Sequence, residues 1–192
     1  MNHLGHLALL RELLPGMTRP ARVVFVTSGT HNPDQLTGMP RPLRIDVDAL
    51  AYPPEPSESA QRDGRRRYST SKLANLMTSC ELDRRLADDG VTVNVFDPGL
   101  MPGTGLARDA GPVARTLWRS VVRGLVALPG VHTPARSGTD LARLVTDPTL
   151  DGVTGRHVVG RRERRSSEDS YDRETQRALY DDSMRLLDTL VR

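Results

Sequence analysis

The chain has 192 residues, of which 37% are apolar and 27% charged, and its formal net charge is +3. These values are typical of one soluble globular domain. The sequence contains no apolar stretch of about 18 residues and no basic-then-apolar leader, so neither a membrane span nor a secretory signal is predicted. Cys80 is the single cysteine, which excludes an internal disulfide and a multi-cysteine zinc site and makes a cytoplasmic location the default expectation.

Helical and strand patterns alternate along the chain. The predicted helices span residues 2–14, 46–49, 68–88, 113–128, 133–145 and 170–190. The predicted strands are short apolar runs at residues 22–27, 91–96 and 156–159. Such runs are typical of strands buried on both faces. The alternation therefore predicts an α/β fold with a parallel sheet, in a single domain.

One long segment breaks this pattern. Residues 31–66 are rich in Pro, Gly, Asp and Arg and have little periodicity. They are predicted to form an irregular excursion that contains the short helix near residues 46–49. Long loops of this kind often carry function.

Lys72 is the only lysine among the 27 basic residues, all the others being arginine. A lysine retained in this background suggests a need for an amine that arginine cannot replace. Tyr68 lies one helical turn before it, so both side chains emerge on the same helix face. A nearby ammonium group would lower the pKa of the phenol towards the range useful for proton transfer. An exposed helical pair without chemistry is the alternative interpretation.

Ser28 adds a third polar group to this pair. It follows the predicted strand 22–27, and ligands of open α/β sheets bind at the carboxyl ends of the strands. Ser28 could therefore hold a substrate oxygen beside the Tyr68 phenol.

Four motifs in order resemble the short-chain dehydrogenase/reductase family. They are Asn2 in NHLGHL, Ser28 in VVFVTSGTH, YSTSK at residues 68–72 and DPG at residues 97–99. Within the family, the sequence is most similar to the retinol dehydrogenase and protochlorophyllide reductase-like branch. The resemblance implies the C-terminal part of a Rossmann-like, doubly wound parallel sheet.

The resemblance also implies a reaction, namely hydride transfer between NADP or NAD and a carbonyl or alcohol substrate, which is expected to be apolar. Tyr68 would exchange the proton, and Lys72 would lower the pKa of that phenol and bind the nicotinamide ribose. Ser28 would polarise the substrate oxygen. Asn2 would hold a water molecule that connects Lys72 to solvent.

Further positions follow from the same resemblance. Pro98 and Gly99 would pass close to the nicotinamide, and Thr104 is the candidate for contact with its carboxamide, although Gly103 stands where many relatives have that threonine. Protochlorophyllide reductases commonly have cysteine where this chain has Ala74, which disfavours a chlorophyll-precursor substrate. Residues 100–135 are expected to hold substrate-side helices.

The glycine-rich turn that binds the pyrophosphate in this family does not occur in the sequence. In relatives it precedes the NHLGHL motif, so we expect that the sequence lacks the cofactor-binding half, with Met1 as a misassigned valine start codon. The chain alone would then be marginally stable and bind NADPH poorly. The alternative function is a non-catalytic remnant that binds a partner through helices 2–14 and 68–88, the helices that would also support a homodimer.

Other candidate groups are given structural interpretations. His3 and His6 are expected to pack or to lie at the surface, and no metal site is predicted. Cys80 is expected to be a buried small apolar residue. Arginines at 161–165 and 65–67 are interpreted as solvated rather than as a nucleic-acid patch, although those at 65–67 could attract an anionic substrate or a cofactor phosphate.

Overall fold

The computed structural model describes residues 2–35, 37–55, 59–101 and 131–190. Within these ranges a four-stranded sheet packs against helices. The helices are α1 (Leu4–Leu13), α2 (Val47–Ala51), α3 (Ala60–Arg85), α4 (Pro134–Thr146) and α5 (Arg173–Leu190). The strands are β1 (Ala21–Val26), β2 (Val91–Asp97), β3 (His157–Val159) and β4 (Arg162–Glu163).

The sheet has the order β1-β2-β3-β4. The first three strands are parallel, with Val23 opposite Val93 and Val95 opposite His157. The predicted α/β fold with a parallel sheet is therefore confirmed, and its architecture is that of part of a Rossmann-like fold. β4 is antiparallel to β3, and its two residues are too few to leave a periodic signal in the sequence.

The main core lies between one face of the sheet and three helices. Strand residues alternate between faces, so Val23, Phe25, Val93 and Val95 point to the same side. They pack there in one buried cluster with Leu7 of α1, Leu76 of α3 and Leu187 of α5. This packing fixes α3 across the sheet and positions its polar residues relative to the strand ends.

The opposite face of the sheet contacts α4. Arg22 points to this face, and its guanidinium donates to the carbonyl oxygens of Leu144 and Val145, at 3.1 Å each. In the described part of the chain β1 pairs with β2 alone, as expected for a strand at the sheet edge. Val26 at its end is 41% exposed.

The short helix α2 agrees with its prediction, whereas the start of α3 does not. The short helix near residues 46–49 is α2, capped by Asp46, whose carboxylate accepts from the Ala49 N–H at 2.9 Å. The prediction for α3 was wrong at its start, because residues 60–66 are helical rather than irregular. Ser59 caps this end by accepting from the Arg62 N–H at 3.3 Å, and Asp63 lies favourably in the first turn.

The predicted helix at residues 113–128 and most of the segment 100–135 lie outside the described residues. Among the residues that are described, none of the helices combines the length and the apolar character needed to cross a membrane.

Candidate active site

The carboxyl ends of β1 and β2 meet at one edge of the sheet. The Thr27 N–H donates to the Phe96 carbonyl oxygen at 2.9 Å and extends the ladder by one residue. The Thr27 hydroxyl donates to the Lys72 carbonyl oxygen at 3.0 Å. This hydrogen bond attaches the middle of α3 to the sheet edge, so the side chains of Tyr68 and Lys72 lie near the strand ends.

Ser28 is the first residue beyond this ladder. Its backbone is extended, and its hydroxyl caps the short 3₁₀ turn Gly29–His31 by accepting from the Thr30 N–H. The Ser28 side chain is also near enough to the Tyr68 phenol to lower the pKa of that phenol by hydrogen bonding. Ser28 is half-buried, and it therefore lies within reach of a ligand at this edge.

Lys72 lies beside the same phenol. Its Nζ atom is 5.5 Å from the centroid of the Tyr68 ring and donates to the Val26 carbonyl oxygen at 3.1 Å. The structure therefore brings Ser28, Tyr68 and Lys72 together at the carboxyl end of β1.

Burial is the largest influence on the pKa of Tyr68. It raises the pKa of the phenol, hydrogen bonding by Ser28 opposes that rise, and the negative charge of Asp97 adds to it. Burial lowers the pKa of Lys72, and the charge of Asp97 opposes that shift. The role of Lys72 in lowering the pKa of Tyr68 stays a prediction, while desolvation of the half-buried phenol acts in the opposite direction.

Asn2 does not join this group directly. It is exposed at the rim of a cavity of about 410 Å³ that lies between the start of α1, the segment around α2 and the first half of α3. Tyr68 lines the same cavity, whereas Ser28 and Lys72 do not. Its other lining residues include Leu43, Arg44, Leu50, Pro53 and Arg67.

The turn after β2 is held from two sides. Gly99 has φ +75, a conformation that favours glycine, and its N–H donates to Asp97 Oδ1 at 2.8 Å. The Pro98 carbonyl oxygen accepts from His132 Nδ1 at 3.1 Å and from the Ser137 hydroxyl at 2.8 Å. Thr104, the remaining cofactor candidate, lies outside the described residues.

A second polar group at the same edge was missed in the sequence. His31, Asp97 and His157 are buried, and each offers one ligand atom such that all three atoms lie within 4.8 Å of one another. Burial lowers the pKa of both imidazoles. The sequence does contain one indication of this cluster, since each residue stands at or near the end of a predicted strand. The sequence does not show, however, that β3 begins beside the end of β2.

The remaining candidates have identifiable partners or positions. His3 is buried and bonded to Asn75 Oδ1 at 3.3 Å and to the Ser183 hydroxyl at 3.1 Å, and burial lowers its pKa from 6.5 to about 4. His6 is exposed. Cys80 is partly buried, and burial raises the pKa of its thiol.

The arginines at 161–165 are exposed, in agreement with the prediction, whereas Arg66 and Arg67 are half-buried. Arg161 forms an ion pair at 2.5 Å with Asp140, whose side chain is buried, so this arginine has a structural role. Arg165 pairs with Glu168 at 3.1 Å. Arg67 donates to the Pro54 carbonyl oxygen while lining the cavity beside Tyr68.

Comparison with known proteins agrees with this geometry. The chain is 32% identical over 163 residues to protochlorophyllide reductase B of Oryza sativa subsp. japonica, which covers 78% of this chain and 40% of the relative. It is 29% identical over 189 residues to human retinol dehydrogenase 13, which covers 97% of this chain and 52% of the relative. The chain belongs to the short-chain dehydrogenase/reductase family.

A solved structure has a similar fold. The crystal structure of an uncharacterized protein from Mycobacterium paratuberculosis superposes with a TM-score of 0.60 at 28% identity, covering 97% of this chain and 57% of that chain. No protein-family model matches the sequence. This short-chain dehydrogenase/reductase segment spans about half the length of the curated relatives that it matches. Those relatives are oxidoreductases by name, and their names specify small-molecule substrates.

Proposed function

We propose that this chain carries the proton-transfer residues of an NAD(P)-dependent oxidoreductase that interconverts a carbonyl compound and an alcohol. The observation that carries the proposal is the convergence of Ser28, Tyr68 and Lys72 at one sheet edge, with the Lys72 ammonium 5.5 Å from the centroid of the Tyr68 ring. These groups occupy the sheet edge at which ligands of open α/β folds bind.

The phenol is the proton donor in the reductive direction. Burial raises its pKa, so Tyr68 is protonated at neutral pH and can give a proton to a developing alkoxide. Ser28 donates a hydrogen bond to the same substrate oxygen and stabilises its charge. The proton leaves Tyr68 Oη as the carbon of the substrate gains hydride.

The residues around Lys72 and Gly99 fit the nicotinamide end of the cofactor. The cofactor supplies the hydride when it is bound. Lys72 uses one N–H group on the Val26 carbonyl, and an ammonium group has two more with which to bind ribose hydroxyl groups. Gly99 has no side chain at the turn where a flat ring would approach. The 192 residues include no glycine fingerprint for the pyrophosphate, so they fit that part of the cofactor poorly.

The cavity beside Tyr68 supports an apolar substrate. Leu43, Leu50 and Pro53 contribute apolar surface, and Arg44 and Arg67 lie on its wall. A mainly apolar cavity with a few polar groups is typical of a small-molecule site. We therefore propose an apolar aldehyde, ketone or alcohol, with an anionic group tolerated at the arginine side.

The alternative, a non-catalytic partner-binding protein, has one observation in its favour. Leu9 and Leu13 of α1 are 58% and 54% exposed and line a groove with Val26 at the edge of the sheet. An exposed apolar strip of this kind suits a protein contact. A homodimer and a cytoplasmic location remain predictions under either function.

The test measures oxidation of NADPH and NADH with a panel of apolar aldehydes and ketones. The chain is assayed alone and joined to the amino-terminal half of human retinol dehydrogenase 13, which supplies upstream sequence. We expect turnover in the joined protein and little in the chain alone. Absence of turnover in a joined protein that binds NADPH would overturn the proposal and leave the partner-binding alternative.

A further inference from the structure

Two imidazoles and one carboxyl group converge behind the candidate active site. His157 is opposite Val95 in the sheet, and Asp97 lies two residues beyond Val95 on the same face. His31 comes from the turn after β1, and its ring meets the His157 ring edge-on, with centroids 5.3 Å apart and an interplanar angle of 85°. Three separate segments therefore place ligand-type atoms within 4.8 Å of one another.

The hydrogen bonds of the two imidazoles determine which nitrogen atoms are available. His31 Nδ1 donates to the Ser28 carbonyl oxygen at 2.6 Å, and His157 Nδ1 donates to the Arg164 carbonyl oxygen at 3.1 Å. A carbonyl oxygen can only accept, so in each neutral imidazole Nε2 carries the lone pair. Metal-bound histidines almost always have this arrangement, with the second nitrogen donating to a carbonyl or carboxylate group.

Both Nε2 atoms are buried without a hydrogen-bond partner. His31 is 0% exposed and His157 is 8% exposed. Buried polar atoms normally have a partner, because leaving one unpaired costs on the order of 1–3 kcal/mol. Two unpartnered nitrogen atoms in a cluster with one carboxyl group therefore indicate an occupant that accepts lone pairs.

The Asp97 carboxyl group is already oriented for such an occupant. Its Oδ1 atom accepts from the Gly99 N–H at 2.8 Å, which fixes the rotation of the side chain. Its Oδ2 atom lies 3.5 Å from the position that a Cβ atom on Gly29 would take. A Cβ atom on Gly29 would contact this carboxyl group at an ordinary distance and would clash with Gln35 Oε1, 2.5 Å away.

We propose that His31, Asp97 and His157 bind a divalent transition-metal ion of the Zn²⁺ type. Two imidazoles and one carboxylate are a ligand set that proteins use for zinc, with a fourth position for water. Calcium and magnesium are disfavoured, since they require six or more ligands that are mainly oxygen. Ligands about 2.0–2.1 Å from a tetrahedral ion lie about 3.3 Å apart, so side-chain shifts of about 1 Å would close the site.

The bound ion would join three segments of the sheet edge. It would connect the turn after β1, the end of β2 and the start of β3. Because the His31 ring donates a hydrogen bond to the Ser28 carbonyl oxygen, the ion would also fix the backbone of Ser28 beside the candidate active site. The site does not depend on the proposed oxidoreductase activity and can be tested without a substrate or cofactor.

The first experiment titrates the metal-stripped 192-residue chain with Zn²⁺ in competition with a chromogenic chelator. We expect one equivalent to bind and the melting temperature to rise. His31→Asn and His157→Asn should each weaken binding by about 100-fold or more. His6→Asn, a change in an exposed histidine outside the cluster, should bind as the unchanged chain does. Lack of binding, or equal binding by all four proteins, would overturn the proposal.

A second experiment covers the case in which a histidine variant folds poorly. His157→Cys retains a metal-binding side chain, so Co²⁺ added to this variant should give the visible bands of a tetrahedral site together with a thiolate-to-cobalt absorption. His6→Cys is the matched control and should give no such thiolate band. A folded His157→Cys protein without the thiolate band would contradict the assignment.

Discussion

The contact between α3 and the sheet differs greatly between its two ends. Towards the carboxyl end of α3, Leu76 and Leu82 pack against Val91 and Val93 in a buried cluster, here called the apolar half. At the opposite end, the same helix and strands present side chains that hydrogen-bond or titrate, here called the polar edge. The polar edge consists of Ser28, His31, Tyr68, Lys72, Asp97 and His157.

The same helix and strands therefore contribute to stability in the apolar half and to the candidate chemistry at the polar edge. In the apolar half, burial of side chains contributes about 25 cal/mol per Å² of apolar surface. At the polar edge, desolvation instead raises the pKa of Tyr68 and lowers that of Lys72. Substitutions in the apolar half should therefore change unfolding free energies, whereas substitutions at the polar edge should change rates and pH profiles.

The largest effect is expected for Tyr68→Phe. This change removes the proton donor and leaves the ring packing intact, so the turnover number of the joined protein should fall by about 10²–10⁴-fold. The measurement is NADPH oxidation at saturating substrate. Tyr52→Phe is the matched control, because Tyr52 is 63% exposed and lies outside the polar edge. An unchanged turnover number in Tyr68→Phe would refute the proposed role.

Leu76→Ala is expected to lower stability and to leave activity unchanged. Leu76 is 1% exposed at the centre of the apolar half, so the change should lower the free energy of unfolding by about 2–5 kcal/mol. Activity per folded molecule of the joined protein should stay near its original value. Leu9→Ala, in a residue that is 58% exposed, should have little effect in the same denaturant titration. Equal losses in the two variants would contradict the described packing of α3.

A buried histidine at the start of α1 should make stability depend on pH. The pKa of His3 is lowered from 6.5 to about 4, so below pH 6.5 the unfolded chain binds a proton that the folded chain does not. Stability should therefore fall as the pH is lowered from 6.5 to 4, by an amount on the order of 3 kcal/mol from this residue. The dependence of the unfolding free energy on pH should become weaker in His3→Gln and stay the same in His6→Gln. The measurement is urea unfolding at several pH values. A pH dependence that His3→Gln leaves intact would show that other groups cause it.

The smallest effect is a shift in a pH profile. The rate of carbonyl reduction should fall as the pH rises through the pKa of Tyr68, because the reaction needs the protonated phenol. The hydrogen bond from Ser28 lowers that pKa, so Ser28→Ala should move the fall to higher pH, while Ser28→Thr should leave it in place. A shift to lower pH in Ser28→Ala would contradict this influence of Ser28 on the pKa of the phenol.

Periodic patterns explain which elements the sequence could predict. α1, β1, β2, α4 and β3 lie close to their predicted positions, because helical patterns mark the helices and short apolar runs mark the strands. The start of α3 was predicted eight residues late. Its first two turns contain Gly64 and several arginines and bury little apolar surface, so the cap formed by Ser59 and the side chain of Asp63 mark this start instead.

The polar edge was only partly predictable for a different reason. Ser28, Tyr68 and Lys72 occur in motifs that can be read along the chain, and their roles remain a proposal. His31, Asp97 and His157 are separated by more than 50 residues each, and the parallel pairing of β1 with β2 and of β2 with β3 brings them together. The direction of the Tyr68 pKa shift also depends on burial, which short sequence motifs do not specify.

The turn at Pro98 and Gly99 has a consequence for ligand recognition. Both lone pairs of the Pro98 carbonyl are engaged, by His132 and Ser137, and the Gly99 amide is engaged by Asp97. The peptide group that joins Pro98 to Gly99 therefore has no free donor or acceptor for a ligand. Recognition by this peptide group would rest on the shape of the ligand rather than on hydrogen bonds.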